Sequence, residues 1–370
     1  MGLFKSKVVL AGRYLSAQEG KITLVTGAAQ PASELLDDQL LFIDTSNPQV
    51  SIHKNVTNSV IGPPSNLAYS KQSGWLLVAD SVKIENGIIE PQHFVSCIRF
   101  DGKSFGETTR VRVGLQPSGI DINKQGNTAL VANRNEGSIS VMRLQAQKWK
   151  VVQTLQVCSA EDELTDVSFA PNGKFALVAI RNAKAIESLS LNPGSGLWQK
   201  DEPLLEVTGL PYRVIFDPEG NTAFSNLARA EPDLNGKLVV FDIDYPSVDI
   251  REYIDLGFRD PETVEISQDG SWLAVPMMAG SNLAPSDSSY AERGRIVLFS
   301  NKNNTQLFQV IECGKIPEGV AFSDNNLELV VQCHPARELS IYRRTHVSLE
   351  FEFDRNVKVS GYPSSLISIH

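Results

Sequence analysis

The stretch Gly209-Leu-Pro-Tyr-Arg-Val-Ile-Phe-Asp-Pro-Glu-Gly-Asn-Thr-Ala-Phe-Ser-Asn226 decides the fold, because it recurs with variations along the chain. It reads as a glycine, a proline opening a strand, a turn ending in Gly, and a second strand ending on a polar residue. The opening prolines align as Pro64, Pro117, Pro211, Pro261, Pro317 and Pro363, with Leu164 in the proline's place in one further copy, making seven. Three residues on, each copy has an aliphatic residue: Leu67, Ile120, Val167, Val214, Val264, Val320 and Leu366. A chain of 370 residues would ordinarily divide into two or three domains. A repeat of about 40–50 residues instead implies one array whose units bury their faces against their neighbours.

Within the copy starting at Pro117, four short strands follow one another: Ser118–Ile122, Thr128–Ala132, Ser138–Leu144 and Lys150–Val157. They are rich in β-branched residues and separated by turn residues. The first turn recurs as Gln72-Ser-Gly74, Pro171-Asn-Gly173, Pro218-Glu-Gly220 and Gln268-Asp-Gly270, with Asp324-Asn-Asn326 as a variant. Gly and Asn supply the left-handed backbone that such hairpins need. Alternation with period two prevails and no amphipathic helix interrupts it, which excludes parallel α/β folds.

The ends complete one another. The chain finishes with a first strand that has no successors, residues 363–370, while Lys21–Thr26, Gln39–Asp44 and Val50–Val56 read as second, third and fourth strands lacking a first. A ring in which the C-terminal strand completes the N-terminal unit removes both open edges. The expected architecture is a single domain over residues 1–370: an all-β, seven-bladed β-propeller of four-stranded antiparallel blades. Blades start near 64, 117, 164, 211, 261 and 317, and Lys7–Leu15 is left as an additional outer or plugging strand.

The run from Gln116 to Val141 and the run Ile316-Pro-Glu-Gly-Val-Ala-Phe-Ser323 resemble the YVTN-type propeller repeat. The chain is also similar to the seven-bladed lactonase-type propellers, which include sugar-lactone hydrolases and a muconate-cyclising enzyme. That resemblance implies chemistry on a small cyclic or anionic metabolite. Its motifs encode turns and blade packing, and a fold does not by itself fix a reaction.

Net charge is −9 with 21% charged residues, which disfavours a general nucleic-acid surface. No apolar run approaches the roughly 18–20 residues that cross a bilayer. The apolar run after Lys5 and Lys7 is too short for a secretory leader, so a cytoplasmic protein is expected. Cys97, Cys158, Cys313 and Cys333 show no paired spacing and read as free thiols rather than zinc ligands or disulfides.

Two rings of residues are expected around the channel. One follows each opening proline: Asn66, Ser118, Asp166, Arg213, Glu262, Glu318 and Ser364 or Ser365. The other closes each second strand: Thr26, Asp80, Asn133, Ile180, Asn226, Pro276 and Gln332. Singly, such residues more often cap turns or satisfy one another; as a set they suit a small polar ligand. Arg213, Arg134, Arg181, Arg259 and Lys315 are candidates to hold an anion. Glu262 and Glu318 occupy equivalent slots in consecutive copies and form an acid–base pair if their environments separate their pKa values. His334, in Gln332-Cys-His-Pro335, is the first choice of proton shuttle and His93 the second. Long second-to-third-strand connections at Gly27–Asp38, Ser81–His93, Leu227–Gly236 and Met277–Gly294 are candidates for a lid.

No GxSxG elbow, HExxH, P-loop or dinucleotide fingerprint is present, and neither a cofactor nor a metal is expected. The favoured reading is an enzyme acting on a small lactone-type metabolite by hydrolysis, cyclisation or isomerisation. In it Arg213 holds the anion, Glu262, Glu318 or His334 moves the proton, and Asn66, Asp80, Asn133, Arg134, Arg181, Asn226 and Gln332 bind substrate. The alternative is a non-catalytic propeller whose acidic surface binds a basic protein or peptide.

Overall fold

The computed structural model describes residues 13–15, 22–29, 38–44, 47–56, 66–85, 88–101, 104–201, 203–228, 235–302, 304–323, 325–344, 349–359 and 361–365. The chain divides into two compact units, the first made of Met1–Pro64, Asp101–Phe105 and Phe258–His370 and the second of Ser65–Phe100 and Gly106–Gly257.

The chain begins in unit 1 with β1 (Arg13–Leu15), β2 (Ile22–Ala29), β3 (Asp38–Asp44) and β4 (Asn47–Val56). Unit 2 follows with four sheets. These are β5 (Leu67–Ser70), β6 (Trp75–Glu85), β7 (Ile88–Phe100) and β8 (Phe105–Arg112); then β9 (Pro117–Ile122), β10 (Thr128–Asn133), β11 (Ser138–Gln145) and β12 (Lys148–Gln156). Next come β13 (Leu164–Phe169), β14 (Phe175–Ile180), β15 (Ala185–Leu191), β16 (Trp198–Lys200) and β17 (Leu205–Glu206), and finally β18 (Leu210–Phe216), β19 (Thr222–Ala228), β20 (Lys237–Asp244) and β21 (Ser247–Asp255). Unit 1 resumes with β22 (Glu265–Ile266), β23 (Trp272–Met277), β24 (Arg295–Ser300) and β25 (Gln306–Glu312), then β26 (Pro317–Phe322), β27 (Glu328–Cys333), β28 (Glu338–Arg343) and β29 (Glu352–Lys358). It ends with β30 (Tyr362–Ser365), which pairs antiparallel with β2 through Ala28↔Pro363 and Ala29↔Tyr362.

Every pairing within these sheets is antiparallel, and sequential strands are neighbours except that β17 returns to β15 and β30 to β2. The second strands β14, β23 and β27 are buried at all six positions, as expected where both faces of a sheet are covered. The fourth strands β12 and β21 alternate exposed with half-buried residues, because only one of their edges is paired. Adjacent sheets join through apolar layers. Trp75, Leu77, Ile120, Val131 and Trp149 form one such layer in unit 2, and Trp272, Val320, Phe322, Val331 and Phe351 form another in unit 1. Each fully buried side chain of this kind contributes about 1.5–3 kcal/mol.

The first turns form as their residues dictate. Gly220 lies at φ +79°, and the Asp217 carboxylate accepts from its N–H at 2.6 Å and from Thr222 N–H at 3.2 Å. In the variant copy Asn326 takes the glycine's place at φ +56°, a region Asn tolerates better than most residues.

Three expectations change. The Ser81–His93 connection is no loop: β6 and β7 continue past Asp80 as a hairpin with register Val82↔Pro91 and Lys83↔Glu90, because its apolar and β-branched residues sustain the strand pattern. The fourth strand after β15 is broken into β16 and β17; Pro203 lies in the break and has no N–H to give the ladder. Of Lys7–Leu15, only Arg13–Leu15 is described, and it lies on β2 at residues 22–24, beyond the β30 pairing at 27–29. The two short strands thus share one edge of β2. Residues 366–370 of the expected closing segment, 30–37 of the first candidate lid and 229–234 of the third lie outside the described residues. The fourth, Met277–Gly294, is a chain of turns from which the Ser281 hydroxyl accepts from Ile316 N–H at 3.0 Å.

Candidate active site

The recurring opening proline starts a β-bulge. In the β9–β10 pair the register passes from Pro117↔Asn133 to Ile120↔Val131, so two residues, Ser118 and Gly119, face the single Ala132. The same slip follows Pro211 and Pro317, and a shift also follows Leu164. A bulge re-aims the side chains it carries. In unit 2 they stitch one sheet to the next. The Ser81 hydroxyl donates to Pro117 C=O. Ser118 donates to Leu164 C=O at 2.9 Å, and Thr165 reaches Pro211 C=O at 3.4 Å. The Asp166 carboxylate accepts from Val214 N–H at 3.1 Å.

The ladder divides the second expected ring. Asn133 pairs with Pro117 and Cys333 with Pro317, whereas Asn226 and Gln332 lie one residue before the equivalent position. In a strand, one residue is the difference between two faces. Asp80 and Asn133 point along their own sheets: Ser96 donates to Asp80 at 2.9 Å, and Asn133 Nδ2 donates to Ser138 and Ser140 at 3.0 Å. Asn226 faces the bulge instead, its Oδ1 accepting from Arg213 N–H at 3.1 Å. Asn66 and Gln332 are fully buried. Residue type alone did not show this split, because a polar residue closing a strand looks the same on either face.

Arg134 and Arg181 are both drawn to Glu163, at 2.5 Å and 4.0 Å, and Arg181 lies over the Tyr212 ring at 5.4 Å. Glu163 was not singled out from the sequence, and its carboxylate engages two of the expected anion-holding groups. The Arg213 guanidinium acts on Asp121, another residue the sequence reading missed. Burial pushes the Asp121 carboxyl up to about 6, although Phe169 N–H at 2.9 Å, Ile122 N–H at 2.8 Å and the Arg213 charge oppose the rise. A partial signal was present: at this position Ala68, Ser168, Ile215 and Ala321 stand in other copies, and only the copy starting at Pro261 has another carboxylate, Glu265.

In unit 1 the β26 bulge carries Glu318. Its Oε1 lies 3.3 Å from His334 Nδ1, which is also 3.1 Å from Pro363 C=O. His334 follows directly on β27, and its N–H donates to Ile316 C=O at 3.2 Å, fixing the turn beside the bulge. Burial raises the Glu318 pKa against the lowering effect of His334. For His334, burial opposes the charged ring, but the Glu318 hydrogen bond and charge and the Pro363 carbonyl outweigh it and raise the pKa above 6.5. Both side chains keep accessible surface, 19% for Glu318 and 26% for His334. Both groups are therefore reachable from solvent. Glu262 occupies the equivalent slot after Pro261, half-buried, with its N–H donating to Pro276 C=O at 3.0 Å. With Nδ1–H directed at the carboxylate, Nε2 is the basic nitrogen, the division of labour of a histidine–carboxylate dyad. A cleft of about 660 Å³ in unit 2, lined by Leu177, Ile186, Ser188, Asp201 and Val248 among others, contains none of the expected site residues. The chemistry favours the Glu318–His334 pair over that cleft.

Residues 81–209 match the profile of the family described as Lactonase, 7-bladed beta-propeller. No curated protein sequence matches the chain. Among solved structures, a Bacteroides fragilis protein provisionally described as a 6-phosphogluconolactonase is 15% identical with a TM-score of 0.73, over 96% of this chain and 100% of that one. The Pseudomonas aeruginosa periplasmic gluconolactonase is 19% identical with a TM-score of 0.68, over 93% and 97%. Kuenenia stuttgartiensis hydrazine synthase is 16% identical with a TM-score of 0.62, over 83% and 90%. At these identities the likeness is one of fold: an all-β propeller with four-stranded antiparallel blades. Proteins named for different reactions share it, so the fold does not choose the chemistry.

Proposed function

We propose that this protein, a lactonase-like β-propeller, is an enzyme that opens the ring of a small cyclic ester. The observation that carries the reading is the Glu318–His334 pair, 3.3 Å apart on a bulge and the adjoining turn. Nε2 of His334 takes a proton from water as the water oxygen attacks the ester carbonyl carbon. Glu318 holds Nδ1–H and stabilises the imidazolium that forms, and the same proton then passes to the departing ring oxygen. Such proton transfer is worth about 10²–10⁴ in rate. Glu262 keeps its expected role as second acid–base group within this proposal, and Arg213 remains a candidate anion holder of unit 2. Seven blades in one ring, closed through the C-terminal strand, belong to it as well, and the β2–β30 pairing supports that closure.

The test is a pH-stat assay of the purified protein on five- and six-membered sugar lactones, simple aliphatic lactones and cyclisable muconates. Turnover of at least one class is expected, with His334→Gln slower by about 10²–10⁴. Hydrolysis no faster than in buffer across the panel, or an unchanged rate in the variant, overturns the reading.

A further inference from the structure

We infer that Tyr362 is the positioning residue of this site: its ring, gripped by Arg337, sets the plane in which His334 meets Glu318. The inference rests on the proton-transfer role proposed for His334 and adds to it a dependence on the last described strand.

His334 and Arg337 are the two ends of one turn, His334-Pro-Ala-Arg337, with Arg337 N–H donating to His334 C=O at 3.1 Å. Pro335 at the second position suits such a turn. Both ends hold the same ring. The His334 imidazole stacks on Tyr362 at 5.3 Å between centroids with 26° between planes. The Arg337 guanidinium lies 4.3 Å from the Tyr362 centroid and donates Nη2–H to its hydroxyl at 3.0 Å. Tyr362 itself belongs to β30, anchored on β2 at Ala29.

The contacts divide the task of orientation. Glu318 and the Pro363 carbonyl choose which edge of the imidazole faces them, since only Nδ1–H can satisfy both acceptors. Neither fixes the tilt of the ring, because contacts at 3.1 and 3.3 Å permit a cone of donor angles. The stack removes that freedom, and the arginine keeps the tyrosine from turning with it. Among the described residues, the charged and titratable groups in contact with His334 or its stacking partner are Glu318 from β26, Arg337 from the same turn and the Tyr362 hydroxyl from β30. A merely space-filling tyrosine would need neither its near-parallel approach to His334 nor a guanidinium over its ring.

The experiment uses the full chain. His334 is assigned among the five histidines by loss of its signal in His334→Gln, then followed by nitrogen and ring-carbon NMR across pH in wild type, Tyr362→Phe, Tyr362→Leu and Tyr362→Met. Tyr362→Phe keeps the stack and is expected to preserve the Nδ1–H form and nearly the whole titration shift. The leucine and methionine variants, either of which suffices, are expected to mix the two tautomers and to titrate nearer the ordinary histidine value. Where lactone turnover is measurable, they lose about 10–10²-fold in kcat with little change in KM, as for a reacting group displaced by part of an ångström. An unchanged tautomer and titration in the ring-less variants overturns the inference. A phenylalanine variant that behaves like them does so too, and so does a ring-less variant that unfolds while the phenylalanine variant shifts. Absence of lactone turnover in the wild type instead removes the proposed reaction and leaves the NMR result to decide the positioning.

Discussion

In unit 2, Ser118 and Thr165 sit on bulges that open β9 and β13 and direct their hydroxyls to carbonyls of the next sheet. In unit 1, Glu318 occupies the residue after the opening proline of β26 and faces His334. The backbone device is the same; the side chain placed on it differs. A hydroxyl can both donate and accept, so it closes the gap between two carbonyl-bearing edges. An ionised carboxylate can only accept, so it cannot bridge to carbonyls as Ser118 does: Asp166, on the β13 bulge, takes a backbone N–H of the next sheet, that of Val214, and Glu318 takes His334 from the turn after β27. One repeated element therefore yields either a structural stitch or a reactive pair, depending on the side chain and on the donor it meets.

The sharpest way to break the contrast is to remove the charge at Glu318. In Glu318→Gln the anion that raises the His334 pKa is gone, and burial, which favours the neutral ring, is opposed by the Pro363 carbonyl without the Glu318 charge. The rate of a base-catalysed reaction rises with pH as His334 becomes neutral, so its inflection in wild type is expected above the ordinary value of 6.5. In the variant it should move to lower pH while the plateau falls by about 10²-fold, the lower end of what a general base contributes. A pH–rate profile of kcat checks both. An inflection that stays in place removes Glu318 from the pair.

The fold lay open in the chain because its signals are local and repeated: the opening proline, the aliphatic residue three places on, and the turn that fixes each hairpin. Glu318 and His334 were singled out for the same reason, one by its slot and the other by its place after a strand, but that they face each other was not legible. What stayed hidden depends on register. Asn133 and Asn226 both close a second strand, but Asn133 pairs with its opening proline and Asn226 falls one residue short of that pairing, so the same bulge leaves them on different faces. Tyr362, Arg337 and Glu163 were hidden for another reason: each acts on a residue from a different strand or turn, and only the folded backbone shows which.

Asp121 offers the next test, since unit 2 also buries a carboxylate but gives it backbone donors instead of a histidine. Its pKa is raised from 3.8 to about 6. The native state thus holds this proton more tightly than the unfolded chain does. That contribution is fully present below 3.8 and is lost as pH rises through about 6. At about 1.4 kcal/mol per unit, the swing is about 3 kcal/mol. Asp121→Asn lacks it, so denaturation midpoints should show the variant gaining on wild type by about that amount between about pH 3 and pH 7. A gap constant with pH would mean the carboxyl is not desolvated.

A smaller effect probes the bulge backbone. A Cβ added at Gly119 would lie 2.5 Å from Asp166 Cα and 3.0 Å from Thr165 C=O, contacts with main-chain atoms that cannot swing away. Gly119→Ala is expected to cost about 2 kcal/mol, the middle of the range for overpacking, in urea denaturation. Little loss would show that the stitch from β9 to β13 is looser than its distances indicate.

The smallest effect belongs to the stitch itself. Ser118 is fully buried and its one hydroxyl proton is placed between Leu164 C=O at 2.9 Å and Thr165 C=O at 3.1 Å. Ser118→Ala leaves the backbone and the packing in place and withdraws only that donor. The loss should be about 1 kcal/mol, a net hydrogen bond, with the NMR titration of His334 unchanged. Ser118→Glu asks the converse. No histidine is among the partners of Ser118, so the carboxylate would be buried against two carbonyl oxygens, and the variant should lose several-fold more stability than the alanine. If glutamate were tolerated there as well as alanine, the donor next to Glu318 would not be what allows a carboxylate on a bulge, and the contrast between the two units would need another cause.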